Sequence, residues 1–315
     1  RVFGDRPLGV VTGITYSRSA TASRNRRSAS AGPVSDKGVT PDFQFSGESG
    51  ATEEVLGGIA NFSFKPHPNH EISLNSLYNR SSKQSATFLT GTIPRDDDNR
   101  IFDRRRLEPI DRTVWNVQGK GEHLLGRDSG SPRLTWSSSY SKTTQEEPDV
   151  RFFTDDRLPD RDVHRIATSI YEFPTRYFRN LSEFTWGNDL EVAVPLGDGK
   201  VKVGGTYQYR ERDLNERRFI YDNLNSPGYK GAPDTYFSEC AGLIEEGECD
   251  SGPYQGTARP DIGVVIQEQT SNQNNLVGDR TVGAGYAMVD TDVPGFPSLR
   301  FIGGVRVEHT YQSIE

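Results

Sequence analysis

From Leu299 to Tyr311 the chain alternates at period two. Leu299, Phe301, Gly303, Val305, Val307 and Tyr311 fall on one side, and Arg300, Ile302, Gly304, Arg306 and Glu308 on the other. Successive side chains of a strand point to opposite faces, so one face here is apolar and the other mostly wet. A half-buried strand of a soluble sheet carries such alternation over about five or six residues. This one runs roughly twice that length.

Eight other stretches repeat the pattern. Leu8, Val10, Thr12, Ile14 and Tyr16 share a face, as do Leu56, Gly58, Ala60, Phe62 and Phe64, and then Ile72, Leu74, Ser76 and Tyr78. Residues 112–123 set Trp115 and Val117 against Asn116, Gln118, Lys120 and Glu122; residues 133–141 set Leu134, Trp136 and Tyr140 against Arg133, Thr135 and Ser137. In residues 183–194 the even positions from Phe184 to Val194 oppose Glu183, Thr185, Asp189 and Glu191. In residues 200–210, Val201, Val203, Tyr207 and Tyr209 oppose Lys202, Thr206, Gln208 and Arg210. The eighth stretch sets Val282, Ala284, Tyr286 and Met288 against Thr281, Gly283, Gly285 and Ala287.

The connections alternate as strictly. Short turns rich in Gly, Pro and Asn occupy residues 66–70, 126–132, 197–199 and 294–297, and long polar segments occupy residues 20–53, 90–111, 147–179 and 223–272. Long loops are uncommon within a compact domain. Alternation explains them, because it puts every short turn at one rim of an antiparallel sheet and every long segment at the other. The expected fold is all-β: an antiparallel up-and-down transmembrane β-barrel wall, a fragment of a larger barrel, with short periplasmic turns and long extracellular loops. No backbone group can turn to water inside lipid, so such a sheet must close and face outward with apolar side chains. Lys202, Arg210, Arg300, Arg306 and Glu308 would then face a polar lumen. Tyr16, Tyr78, Tyr140, Tyr207, Tyr209 and Tyr311 would belong to the aromatic girdle on the long-loop side.

Composition bears on the same choice. Only 33% of the 315 residues are apolar, and the mean hydropathy is -0.69, below what a soluble domain of this size draws on for its core. The aromatic content of 10% argues against disorder. A soluble β-sandwich would need dense aliphatics facing inward from both sheets, where this chain offers Ala, Gly and Ser. No apolar run is long enough for a transmembrane helix. A formal charge of -7 argues against a general nucleic-acid binder.

Residues 61–80 (N-F-S-F-K-P-H-P-N-H-E-I-S-L-N-S-L-Y-N-R), 121–126 (G-E-H-L-L-G) and 299–308 (L-R-F-I-G-G-V-R-V-E) resemble the barrel of TonB-dependent outer-membrane receptors, in particular the large bacterial ones with a carboxypeptidase-regulatory-like N-terminal domain. The resemblance implies a twenty-two-stranded barrel around an N-terminal plug. It also implies uptake of a scarce nutrient, a ferric siderophore, cobalamin or an oligosaccharide, driven through the TonB complex. Nothing in the chain resembles the plug, the TonB box or the C-terminal aromatic strand. Residues 1–315 are therefore expected to form part of one barrel domain, an internal section of its wall in the bacterial outer membrane. The implied partners are outer-membrane lipid, the TonB complex through the plug of the parent chain, a small-molecule or oligosaccharide ligand, and accessory surface proteins. No cofactor and no nucleic acid are implied. The alternatives are a secreted, soluble β-rich adhesin or carbohydrate-binding module, and a passive porin.

Enzymatic motifs give little. Residues 127–132 (R-D-S-G-S-P) echo the nucleophile segment of chymotrypsin-like proteases, but no histidine occurs in the surroundings that a serine base needs. His67 and His70 flank Pro68, so a turn is expected there rather than a metal site. Asp96, Asp97 and Asp98 offer oxygens to a calcium ion, but lack the spacing and closing Glu of an EF-hand, and a solvated acidic run is the simpler reading. In the segment 223–272, Tyr229, Tyr236, Phe237 and Tyr254 are candidates for ligand contact. Cys240 and Cys249, the only cysteines, are candidates for a loop disulfide in an oxidising compartment.

Overall fold

A computed structural model describes residues 7–35, 38–94, 97–127, 130–160, 163–166, 174–225, 229, 231–233, 237, 263–271, 274–293 and 296–314. Eleven strands follow in chain order: β1 (Leu8–Ser35), β2 (Gly38–His67), β3 (His70–Ile93), β4 (Asp97–Leu124), β5 (Arg133–Arg157), β6 (His164–Ile166), β7 (Thr175–Leu196), β8 (Gly199–Asn225), β9 (Gly263–Glu268), β10 (Leu276–Val293) and β11 (Phe296–Ile314). Nine of them are long and lie side by side in sequence order as an antiparallel meander; short β6 adds to β5, and short β9 to β8. These nine contain the nine alternating stretches of the sequence. Within the described residues β1 and β11 are the two edges and do not pair with each other, so the sheet is open.

The register carries one side-chain face across the whole sheet. Leu8 lies opposite Phe64, Phe64 opposite Ile72, Ile72 opposite Gly121, Gly121 opposite Trp136, and Trp136 opposite Leu190. Leu190 then lies opposite Gly205, Gly205 opposite Gly285, and Gly285 opposite Val307. Directly opposed residues point the same way, so these form one continuous apolar surface. The neighbouring rows point to the other side and are polar: Asn61, Asn75, Gln118, Ser139, Gly187 and Gln208 are successive partners. Among the described residues no second layer covers the apolar band. Val305 is 71% exposed, Val307 69% and Ile14 84%.

This apolar band has borders. Toward the ends away from the short turns, the first charged residues on its face are Arg18, Glu54, Arg80, Lys142, Glu211 and Asp279. Just inside that border runs an aromatic belt. Trp115 packs edge-on against Tyr140 at 6.1 Å, Tyr140 stacks on Phe184 at 6.3 Å, and Phe184 meets Tyr209 at 5.6 Å. Trp186 meets Tyr207 edge-on at 6.1 Å one step nearer the short turns. Such rings prefer offset or edge-to-face contact, which cross-strand neighbours on a twisted sheet supply.

Two expectations are corrected. The polar segments 20–53 and 90–111 are not loops: β1 runs to Ser35 before β2 starts at Gly38, and β3 runs to Ile93 before β4 starts at Asp97. Beyond the apolar band the strands continue as polar ribbons, held by the backbone ladder and by cross-strand ion pairs. The segments 147–179 and 223–272 are likewise in part strand, through the ends of β5, β7 and β8 and through β6 and β9. The second correction concerns β10. Ala287 lies opposite Val203 and Val305, so its odd residues share the apolar face. Val282, Tyr286 and Met288 point to the polar side, where the Tyr286 hydroxyl donates to Glu191.

The register yields a test. A Cβ added at Gly121 would overlap the indole of Trp136 and come within 2.8 Å of His123 Nε2, whereas one at Gly283 meets nothing within 4 Å. Gly121→Ala is expected to cost about 1–3 kcal/mol in chemical denaturation, and Gly283→Ala close to nothing. Equal losses for the two would remove the pairing assigned to β4 and β5.

Candidate functional site

The charges singled out in the sequence occupy the polar side. Lys202 Nζ lies 2.8 Å from Glu191, which also accepts the Tyr286 hydroxyl. Arg210 lies 3.8 Å from Glu183, and Arg306 3.0 Å from Glu308. Arg300 donates to Asp290 at 2.8 Å, and Lys200 lies 3.6 Å from the same carboxylate. These pairs are cross-strand or next-but-one neighbours, as strand geometry requires of charges on one face.

Tyr229 and Phe237, the two described candidates for ligand contact, come together beyond the charged border, on the side of the sheet that carries the apolar band. Phe153, Ile166, Tyr221 and Tyr229 form a buried cluster, with Phe219 and Phe237 packed against it. Phe153 lies 5.7 Å from Tyr229 and 5.5 Å from Phe237, and Phe237 meets Tyr221 edge-on at 5.0 Å. Tyr229 is a packing residue: it is 3% exposed and its hydroxyl donates to Asp155 Oδ2 at 2.9 Å. Tyr236, Tyr254, Cys240, Cys249 and Asp96 lie outside the described residues. Asp97 and Asp98 open β4, where only the backbone is described.

The polar centre of this cluster went unnoticed in the sequence. Asp155 is buried, pairs with Arg105, and lies 3.6 Å from His164 Nδ1. Burial pushes the Asp155 carboxyl up in spite of Arg105, and likewise Asp156 in spite of Arg100. Burial, with the Asp155 charge beside it, pushes the Tyr229 phenol up as well. The available signal was the run Arg104-Arg105-Arg106, which reads as a loop cluster until alternation is applied to it. Arg105 then falls on one face, opposite Phe153, and Arg104 and Arg106 on the other.

A second junction fixes β5 against β7. Asp149 sits where their register shifts between Pro148 and Val150, at φ 81°, a left-handed conformation that Asp and Asn tolerate better than most residues. Its carboxylate accepts Arg151 Nε at 2.8 Å, and Arg176 through Nε at 2.7 Å and a terminal nitrogen at 2.9 Å. Burial alone would push this carboxyl up, but Arg176 and Arg151 outweigh it and hold Asp149 below the usual carboxylate value.

Among the described residues no group of three His, Cys, Asp or Glu side chains is placed to hold a metal. His67 and His70 flank a turn with ring centres 5.6 Å apart, and His70 continues into a short relay. The Trp136 indole N–H donates to His123 Nε2 at 3.0 Å, and the two Nδ1 atoms of His123 and His70 lie 3.2 Å apart. That arrangement assigns the proton of His123 to Nδ1. Of the protease-like segment, residues 128 and 129 lie outside the described residues. Comparison with protein-family models gives no match to this chain, and comparison with curated proteins gives none.

The Asp149 junction predicts a pH dependence. A carboxylate held below its ordinary value stabilises the fold above that value, and the contribution is lost as pH falls through the lowered one. Asp149→Asn keeps the backbone preference but drops the charge. It is expected to lower stability by about 1–3 kcal/mol at pH 7 and to flatten the loss on acidification. Urea unfolding at pH 7 and pH 3 reads both effects, and parallel pH profiles for the variant and the parent would disprove the clamp.

Proposed function

We propose that this chain is a section of the wall of a transmembrane β-barrel in a bacterial outer membrane, belonging to a TonB-dependent receptor that takes up a scarce nutrient. One observation carries the membrane part: an apolar face continuous over nine strands, bordered by aromatics and then by charges, with none of the described residues packed on it. From Leu8 to Tyr16 the band on β1 matches the roughly 9–11 residues a tilted strand needs to cross a bilayer. Water is a poor solvent for such a face, and exposed apolar patches beyond a few hundred Å² are rare on soluble monomers. In lipid the same face is the favourable one, and the ion-paired opposite face suits an aqueous lumen.

The receptor part rests on the resemblance of residues 61–80, 121–126 and 299–308, and on strands that extend as polar ribbons well past the band. Within the described residues β1 and β11 are open edges, and such edges are natural sites for further strands of the same barrel. On this reading the chain serves transport and not catalysis. TonB acts through a plug region of the parent protein, outer-membrane lipid solvates the band, and ligand contact falls to the lumen and the ribbon ends.

The membrane reading is tested on β8. Val203 belongs to the apolar face and Gln208 to the polar one. Val203→Arg is expected to disfavour bilayer insertion by about 2–4 kcal/mol, and Gln208→Arg by nearly nothing. Insertion into vesicles, read as a heat-modifiable band in unheated electrophoresis, measures the difference. Extraction of the parent protein into buffer without detergent, with Val203→Arg behaving as wild type, would favour the soluble adhesin instead.

A further inference from the structure

On the polar face, at the depth of the band, the wall is hollowed around β7. Asp189 and Glu191 flank Leu190, whose side chain belongs to the band opposite Trp136, so both carboxylates point the other way. With Thr206 and Tyr286 on one flank, and Ser137 and Lys120 on the other, they line a recess of about 360 Å³, within the range of about 300–1,000 Å³ for small-molecule sites. The register sets their order: Lys120 lies opposite Ser137, Ser137 opposite Asp189, and Asp189 opposite Thr206. Glu191 lies opposite Gly204, and Gly204 opposite Tyr286. That glycine gives the ring its seat, since a Cβ there would come within 2.6 Å of the Tyr286 ring and hydroxyl.

The hydrogen bonds inside the recess decide what it offers a ligand. An ionised carboxylate only accepts, so Ser137 and Thr206 each commit their hydroxyl proton to Asp189, at 3.0 and 2.8 Å. Tyr286 commits its own to Glu191, which also accepts Lys202 Nζ at 2.8 Å. What remains unused is mostly acceptor capacity: three hydroxyl oxygens whose protons are taken, and the second lone pairs of both carboxylates. Lys120 is the one cation among the described lining residues. Together with Lys202 on Glu191 it balances the two carboxylates, so the recess is rich in acceptors and has no surplus of charge.

We propose that this recess binds a neutral polyhydroxylated ligand, a sugar unit, in preference to an oxyanion or an amine. An oxyanion brings further acceptors to a site already full of them and meets Asp189 and Glu191 at close range. A cationic amine brings donors, but it adds charge to a balanced site beside Lys120. A hydroxyl both donates and accepts, so a sugar can donate to the carboxylates and accept from Lys120, and the Tyr286 ring offers an apolar surface to its C–H face. The inference rests on the transport reading for the ligand's arrival, but its chemistry stands on the recess alone.

The test is calorimetric titration of the protein purified in detergent, with maltotriose, cellotriose and xylotriose as neutral probes, citrate as the oxyanion and spermidine as the amine. At least one trisaccharide is expected to bind, with an affinity that salt leaves unchanged because no charge pair forms on binding. Citrate and spermidine are expected to bind more weakly than that sugar or not at all. Asp189→Asn and Tyr286→Ala should each weaken trisaccharide binding about tenfold to a hundredfold. Lys120→Met, which leaves the carboxylates in excess, should shift the preference toward spermidine, a reversal that a merely structural role would not produce. Lys83→Gln, on the same face but outside the recess, serves as the control, and thermal unfolding confirms that each variant is folded. The proposal is overturned by binding of no trisaccharide, by citrate or spermidine bound in preference to all three, or by trisaccharide binding indifferent to the recess variants. None of these results touches the membrane reading, which the vesicle experiment judges separately.

Discussion

The backbone hydrogen-bond ladder is the interaction on which this structure depends. Most folds of this length gather apolar side chains into a shared core, whereas the two buried clusters described here hold four residues each. Nine long strands instead satisfy their N–H and C=O groups on their neighbours, one antiparallel pair after another. Each such bond contributes only about 0.5–1.5 kcal/mol net in water. In a medium that offers no competing donors, leaving the same groups unpaired costs several times more. Among the described residues the apolar band stays uncovered, so the ladder, more than a shared core, holds the long strands together.

Around that ladder, each face is chosen by a different rule. On one side the band is filled by aliphatics and aromatics, and Gly119 and Gly121 interrupt it where the Trp136 indole lies across them. On the other side nearly every charge answers a cross-strand partner, as Lys202 answers Glu191 and Arg300 answers Asp290. Exposed pairs of this kind contribute little each. Together they pair most of the described charges on the polar face.

Much of this was legible in the sequence, and the failures have physical causes. Alternation located all nine long strands and the side on which Lys202, Arg210, Arg300, Arg306 and Glu308 lie. It misjudged β10 because Gly283, Gly285 and Ala287 have almost no side chain with which to mark a face, while Val282, Tyr286 and Met288 on the polar side look apolar by type. Only the Tyr286 hydroxyl, bonded to Glu191, shows why a tyrosine belongs there. The ribbons beyond the band were read as loops for a related reason: a strand wet on both faces has no hydrophobic period to detect. Its signal is the pairing itself, which a single sequence does not display. Asp155 and Asp149 were missed because a lone aspartate in a polar run resembles any other until Arg105, Arg151 and Arg176 are brought beside it by register.

The ribbons also explain how the chain sets rigidity where it needs it. Past the charged border the continuous apolar face ends, and a bare two-stranded ribbon is only marginally stable. Two devices take over there. At the Asp149 bulge one carboxylate ties Arg151 of β5 to Arg176 of β7 across a register shift. Farther out, the cluster around Phe153 and Tyr229 buries Asp155 against Arg105. Burying a charge pair adds little net stability, but removing one partner is costly, so such a pair selects one arrangement over its neighbours. Both devices lie on or next to β5, so this one strand is fixed against β4 and β7 alike.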